Sequence, residues 1–199
     1  MKKIIFAVVL TTCAATTAFA QTTLQVQKLF EAGQYQSVVD QAQPDADPAV
    51  IYTAAQSQQK LGNTDAAVQT YGTLAGRGED DPWHFIGLSG QQLVQDDADG
   101  ALASAQQAVS MDGSIAEAHY QLGLVFAKRQ EWANAATEFD RVTEINPSTA
   151  YAQYYGGLMY YRANRPDRMA NHFEQFLKLA PEAPERAEVT QIMKTVRGR

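Results

Sequence analysis

The chain has 199 residues, 45% of them apolar, a net charge of −6 and a single cysteine. That length and apolar content suffice for one sizeable core or a short solenoid, which sets disorder aside. Strand formers other than Tyr are sparse while Ala and Gln run long without turn signals, so the chain reads as all-helical.

Residues 1–20 read as a secretory signal peptide. Lys2 and Lys3 give a positive start, Ile4 to Leu10 is unbroken apolar sequence, and Ala18-Phe19-Ala20 ends an A-x-A cleavage site before Gln21. The apolar run is too short to cross a bilayer, and no later segment approaches the roughly 20 apolar residues that spanning requires. The mature product is therefore expected in the periplasm or secreted, with no membrane span. Leu10-Thr11-Thr12-Cys13 loosely resembles a bacterial lipoprotein signal, although Thr12 stands where that pattern has Gly, Ala or Ser. Lipid anchoring at Cys13 is the alternative processing and would make the chain an anchored assembly factor. Cleavage after Ala20 leaves a mature chain without cysteine, which excludes disulfides, thiolate metal sites and Cys nucleophiles.

The mature chain begins with a short hairpin over 21–47. Thr22 to Ala32 and Gln36 to Gln43 are the helices, and Gly33-Gln34-Tyr35 is the turn. Four units of equal length follow, at 48–81, 82–115, 116–149 and 150–183. Leu122-Gly123, Phe126, Ala135, Phe139 and Pro147 recur one unit on as Gly156-Gly157, Tyr160, Met169, Phe173 and Pro181. One step earlier stand Leu88-Ser89, Gln92, Ala101, Ala105 and Gly113, and before them Ala54-Ala55, Gln58, Ala67, Tyr71 and Glu79. The spacing from Val38 to Ala67 falls short of a full unit, so the first hairpin is a degenerate one that caps the N-terminal end. In 184–199, Val189, Ile192, Met193 and Val196 form one apolar stripe, as expected of a capping helix.

Within a unit, Leu122, Gly123 and Phe126 share one helical stripe, and Ala135, Phe139 and Val142 share another. A helical Gly costs about 0.5–1 kcal/mol relative to Ala, a cost offset where another helix must approach closely. Gly123 and Gly157 are expected opposite Ala135 and the turn before Met169, with Phe139 and Phe173 filling the space between hairpins. The repeated pattern resembles the tetratricopeptide repeat family, W-x2-L-G-x2-Y, then A-x3-F, then P. The resemblance covers about 48 to 183 and is best over Ala116 to Thr149. It departs at His119 and Gln153 for the first aromatic, Gln58 and Gln92 for Tyr, and Gly113 and Glu79 for Pro. It implies a right-handed α-solenoid of antiparallel helix hairpins.

Chemistry other than binding finds little support. His84, His119 and His172 lie in unrelated contexts, and His119 reads as a packed core residue. No H-E-x-x-H, G-x-S-x-G, Walker loop or dinucleotide fingerprint occurs. Asp97-Ala98-Asp99-Gly100 has a calcium-loop flavour, but Gln95 and Gln106 stand where acids are needed. Neither enzyme activity, cofactor nor metal is expected. Asp40 to Asp112 holds 11 acidic residues against Lys60 and Arg77, so nucleic acid, which needs a basic face, is disfavoured.

The resemblance implies that the first helix of each hairpin lines a concave surface. That face carries Tyr52, Gln56, Gln59 and Lys60; Trp83, Ile86, Gly90 and Leu93; Tyr120, Leu124 and Lys128; and Tyr151, Tyr154, Leu158, Tyr161 and Arg162. Tyr155 and Tyr160 are assigned to the core, leaving Tyr151, Tyr154 and Tyr161 to project as binding anchors. Lys60, Lys128 and Arg162 are expected to meet acidic groups or carbonyls of an extended peptide. The expected role is a periplasmic scaffold for a protein or peptide partner, with self-association through the same face as a further possibility. The opposing expectation is that the chain's own ends close this face.

Overall fold

The computed structural model describes residues 22–43 and 45–197; Cys13 and the whole signal segment lie outside them. The described residues form eleven helices and no strand. The first helix, α1, spans 22–31. It is followed by α2 (Tyr35–Gln41), α3 (Pro48–Lys60), α4 (Thr64–Ala75), α5 (Pro82–Val94) and α6 (Ala98–Met111). Then come α7 (Ala116–Lys128), α8 (Trp132–Ile145), α9 (Ala150–Arg162), α10 (Pro166–Leu179) and α11 (Arg186–Arg197). From α2 to α11 each helix packs on its neighbour in sequence. This is an all-α solenoid laid down in chain order.

The repeat period is written into the backbone. Gly62, Asp96, Gln130 and Asn164 stand one period apart, and all four have positive φ, at 78°, 68°, 62° and 56°. At each, the next residue's N–H reaches back across the turn: Asn63 to Gln58, Asp97 to Gln92, Glu131 to Phe126 and Arg165 to Tyr160, at 2.8–2.9 Å. These are left-handed helix stops that satisfy the last carbonyls of each first helix. Gly33 repeats the device at φ 73°, with Gln34 N–H on Leu29, at the shorter interval that marks the degenerate hairpin. Starts are chemical too: Pro48 and Pro82 open α3 and α5, and the Asp47 and Asp81 carboxylates accept from Ala49 and Trp83 N–H at 2.9 Å.

The helices of each hairpin meet through small residues. A Cβ on Gly123 would stand 3.0–3.2 Å from the Phe139 ring, and one on Gly157 would overlap the Phe173 ring outright. The phenyl rings, rather than Ala135 and the turn before Met169, are therefore what these glycines admit. Phe139 is fully buried and carries packing to the next hairpin by stacking on Tyr155 at 5.5 Å. One unit earlier, Ser89 takes the glycine's place and donates its hydroxyl to the Ala101 carbonyl at 2.8 Å. Here the tightest approach lies between hairpins: a Cβ on Gly87 would stand 2.6 Å from Ala75 N and 2.7 Å from the Tyr71 carbonyl.

The family-aromatic positions filled by His119 and Gln153 pair polar groups across the hairpin. His119 Nδ1 meets Glu138 at 2.7 Å and its Nε2 the Gly113 carbonyl at 3.2 Å. One unit on, Gln153 Oε1 meets His172 Nδ1 at 2.8 Å, while His172 Nε2 meets Asp140 at 2.8 Å. All three residues, His119, Gln153 and His172, are buried. Asp140 also accepts from Tyr160, whose hydroxyl is pushed up to about 12 by burial and by that carboxylate.

The candidate partner face and how the chain closes it

Position by position, the inner face is graded. Tyr52, Ile86, Tyr120 and Tyr154 occupy one place in successive units and are only 2%, 0%, 6% and 7% exposed. One turn on, Gln56, Leu124 and Leu158 are half-buried. At the C-terminal ends Lys60, Lys128 and Arg162 are exposed. Gly90 does not belong to this face, because a Cβ on it would stand 2.5 Å from the Tyr71 ring of α4.

The expectation that tyrosines project is corrected for most of them. Tyr151 (2% exposed) and Tyr154 are core residues, Tyr52 and Tyr120 likewise, and only Tyr161, at 40%, stands out. Trp83 is half-buried against the core, 6.4 Å from the Tyr52 ring. Tyr52 also meets Tyr120 edge-on at 6.4 Å, and Tyr120 meets Tyr155 at 5.9 Å. The α3 and α7 helices, two units apart, therefore touch across the inner side. Their polar tips are joined as well: Tyr52 O–H donates to buried Gln121 at 3.0 Å, and Gln121 Nε2 donates to Ser89 at 3.3 Å.

The chain's own ends complete the closure. Phe30 of α1 lies 4.9 Å from Tyr151, and Tyr35 shares a 3.1 Å hydroxyl contact with it. Gln27 donates to the Ser148 carbonyl, and Glu31 accepts from Ala150 N–H at 3.1 Å, capping α9 from the far end of the sequence. From the C-terminal side, Glu185 accepts from Lys60 at 2.8 Å and from Tyr151 at 2.6 Å, while Glu188 accepts from Tyr154 at 3.0 Å. Gly33 and Pro184 abut so closely that a Cβ on Gly33 would lie 2.7 Å from the proline ring.

This latch has a defined charge state. Burial works against the Glu185 carboxylate, yet the Lys60 and Tyr151 hydrogen bonds prevail and hold it below the usual carboxyl range. Burial likewise opposes the Lys60 ammonium, but nearby Tyr155 and Glu185 more than compensate and raise it. The Tyr151 hydroxyl is pushed far up by burial and by its bond to Glu185, so it keeps its proton and donates it in the hydrogen bond to that carboxylate. The other two cations of the row also have partners within the chain. Lys128 meets Asp96 at 2.6 Å, and Arg162 lies 5.6 Å above the Trp132 ring.

At the C-terminal ends of α3, α5 and α7 lies a basin of about 390 Å³. It brings together Gln56, Lys60, Tyr120, Leu124 and Lys128 from the sequence-derived set. Phe30 and Tyr155 line it too. Sequence reasoning missed both as lining residues: Tyr155 was assigned to the core, and Phe30 belongs to the N-terminal hairpin, which was read only as a cap. Leu158, Tyr161 and Arg162 lie outside this basin. Among the described residues no group of three acidic, His or Cys side chains could hold a metal ion, and no helix is long and apolar enough to cross a membrane.

A chain of helical hairpins with this turn and this period defines a repeat protein of the solenoid class. Sequence profiles of the tetratricopeptide repeat match residues 92–150, 129–184 and 49–77, and the chain belongs to the tetratricopeptide repeat family. No curated protein matches it. Several solved structures share the fold at low identity. TTC0263, a thermophilic TPR protein of Thermus thermophilus, superposes with TM-score 0.62 at 20% identity, over 87% of this chain and 97% of that one. PilF of Pseudomonas aeruginosa gives 0.60 at 14%, over 83% and 72%. The first TPR of Spaghetti (RPAP3), bound to the HSP90 peptide SRMEEVD, gives 0.54 at 13%, over 61% and 97%.

Proposed function

We propose that the chain is an exported, periplasmic, non-catalytic adaptor that holds a segment of a partner protein in the basin at the C-terminal ends of its inner helices. The observation that carries this reading is the gradient of the inner face. Aromatic residues and the chain's own ends occupy its buried part, and the stretch left accessible gathers amide, apolar and cationic side chains in one concavity. Gln56, Gln59, Lys60 and Lys128 supply donors to carbonyl or carboxylate oxygens, and Leu93 and Leu124 supply apolar contact. Lys128 is tied to the exposed Asp96 carboxylate, a weak surface pair that an incoming acid can replace. The RPAP3 structure, with its bound peptide, gives a precedent for the fold in this role. The A-x-A site before Gln21 carries the proposed location.

The test is capture from bacterial envelope extract by the wild-type chain and by the pair Leu124→Glu and Lys128→Glu. Loss of the captured protein by both variants, with unchanged melting, supports the basin; undiminished capture contradicts it. Mass analysis of the mature N-terminus tests export: Gln21 supports the soluble form, and an acylated Cys13 would replace it with a lipid-anchored one.

A further inference from the structure

At the other end of the inner face, the first turns of α3 and α7, the start of α9 and one side of α1 enclose a second cavity of about 80 Å³. The rings of Phe30, Tyr52, Tyr120 and Tyr151 wall it, and the carboxyls of Glu31 and Glu117 line it. There is room for a few heavy atoms, well below the roughly 150 Å³ of a cavity that admits benzene.

The two carboxyls differ in how they are used. Glu31 belongs to the fold, since one of its oxygens accepts from Gln27 at 3.0 Å and from Ala150 N–H at 3.1 Å. Glu117 bonds only its own amide, and among the described residues no cation and no other side chain bonds its carboxyl. Burial pushes that carboxyl up, and Asp47 nearby adds to the effect. Burial raises Glu31 as well, against the pull of Gln27, Ala150 and Lys28.

The three helix N-termini do not turn this into an anion site. Asp47 caps α3, Glu31 takes the first amide of α9, and Glu117 takes its own amide in α7. These amides are already engaged by acidic residues of the chain, and what the cavity lacks is positive charge.

We propose that this cavity binds a primary alkylammonium group, with Glu117 as its counter-ion and the Tyr52, Tyr120 and Phe30 rings around it. Aromatic faces attract a cation through their quadrupole, and the narrow volume suits an ammonium on an alkyl stem. A guanidinium, with five donors in a plane, would need more free acceptors than one carboxylate offers. The cavity shares Phe30, Gln56 and Tyr120 with the basin at Lys60 and Lys128, but Glu117 lines this cavity alone and Lys128 the basin alone, so variants at those two residues let each reading fail without the other.

The test is calorimetric titration of the full mature chain with cadaverine and, in parallel, with N-acetyl-lysine methylamide. 1-Pentanol is the uncharged control. Saturable one-to-one binding of either amine, with none of pentanol, is expected. Binding of cadaverine alone identifies a free diamine as the source, and binding of the lysine derivative identifies a side chain carried by a peptide. Glu117→Gln should weaken binding at least tenfold while melting at or above the wild-type temperature. Ala116→Leu, which narrows the cavity without touching charge, should also abolish binding and covers the case in which the first variant folds poorly. Absence of saturable binding of both amines at millimolar concentration, or equal binding by Glu117→Gln, would overturn the proposal.

Discussion

Tyr154 and Tyr161 lie two turns apart on the same helix, yet one is 7% exposed and the other 40%. The difference separates two regions of the inner face that one repeat builds. Near the helix starts the face packs on itself and on the chain's own termini, which also reach Lys60 at the end of α3. Near the helix ends it opens into a basin with cationic and amide residues. A single repeated pattern therefore yields a core at one end and a surface at the other. Where along the helix a residue sits matters as much as which face it occupies.

The largest expected effect breaks that contrast directly. Tyr154→Ala removes a ring packed on Tyr151, Tyr155 and Phe176 and should destabilise by about 3–5 kcal/mol. Tyr161→Ala, at the open end, should stay within about 0.5 kcal/mol. Parallel denaturation curves check both, and equal losses would erase the distinction.

Next in size are the close approaches. Gly87→Ala drives a methyl into backbone atoms of α4 that cannot move aside and should cost about 3 kcal/mol. Gly157→Ala drives one into a ring that can tilt and should cost about 1–2 kcal/mol. At Gly123 the ring is 3.0 Å away, so the gain in helix propensity, about 0.5–1 kcal/mol, should nearly cancel the crowding. Thermal melts in that order are the check.

Smaller effects appear as pH dependence of opposite sign. Burial raises the Glu117 carboxyl, so its contribution to stability is present at low pH and lost as pH rises through the folded value. Glu117→Gln should raise the melting temperature at neutral pH and change it little in acid. Burial also works against the Asp140 carboxylate, but hydrogen bonds from His172 and Tyr160 prevail and lower it. Its contribution is present above the unfolded value and lost as pH falls through the folded one. Asp140→Asn should therefore lower the melting temperature at neutral pH and matter little in acid. Smallest of all, Gln130→Gly relieves a left-handed non-glycine residue and should stabilise by up to about 1 kcal/mol.

Helices and their pairing were legible because the period reports which residues each hairpin buries among its near neighbours. Leu122, Gly123, Ala135 and Phe139 meet within one unit, so their spacing carries the contact. The closure was not legible in the same way. Tyr52 meets Gln121 from 69 residues away and Lys60 meets Glu185 from 125, and no local period encodes such a meeting. A tyrosine at helical spacing reads the same whether it awaits a partner or packs on the chain's own rings. One signal was present: Ile86 stands in the row of Tyr52, Tyr120 and Tyr154, and an aliphatic residue there favours a core. The left-handed turns at Gln130 and Asn164 gave no compositional hint, because neither is glycine; only their place in the repeat, counted from Gly62, marks them.

Zero-length carbodiimide coupling tests the closure most directly, since it joins an ammonium to a carboxylate only where the two touch. Peptide mass mapping of the monomeric product is expected to show Lys60 joined to Glu185, with the link lost in Glu185→Gln. A monomer in which Lys60 couples elsewhere or stays free, with Glu185 unmodified by it, would mean that the inner face stands open along its whole length.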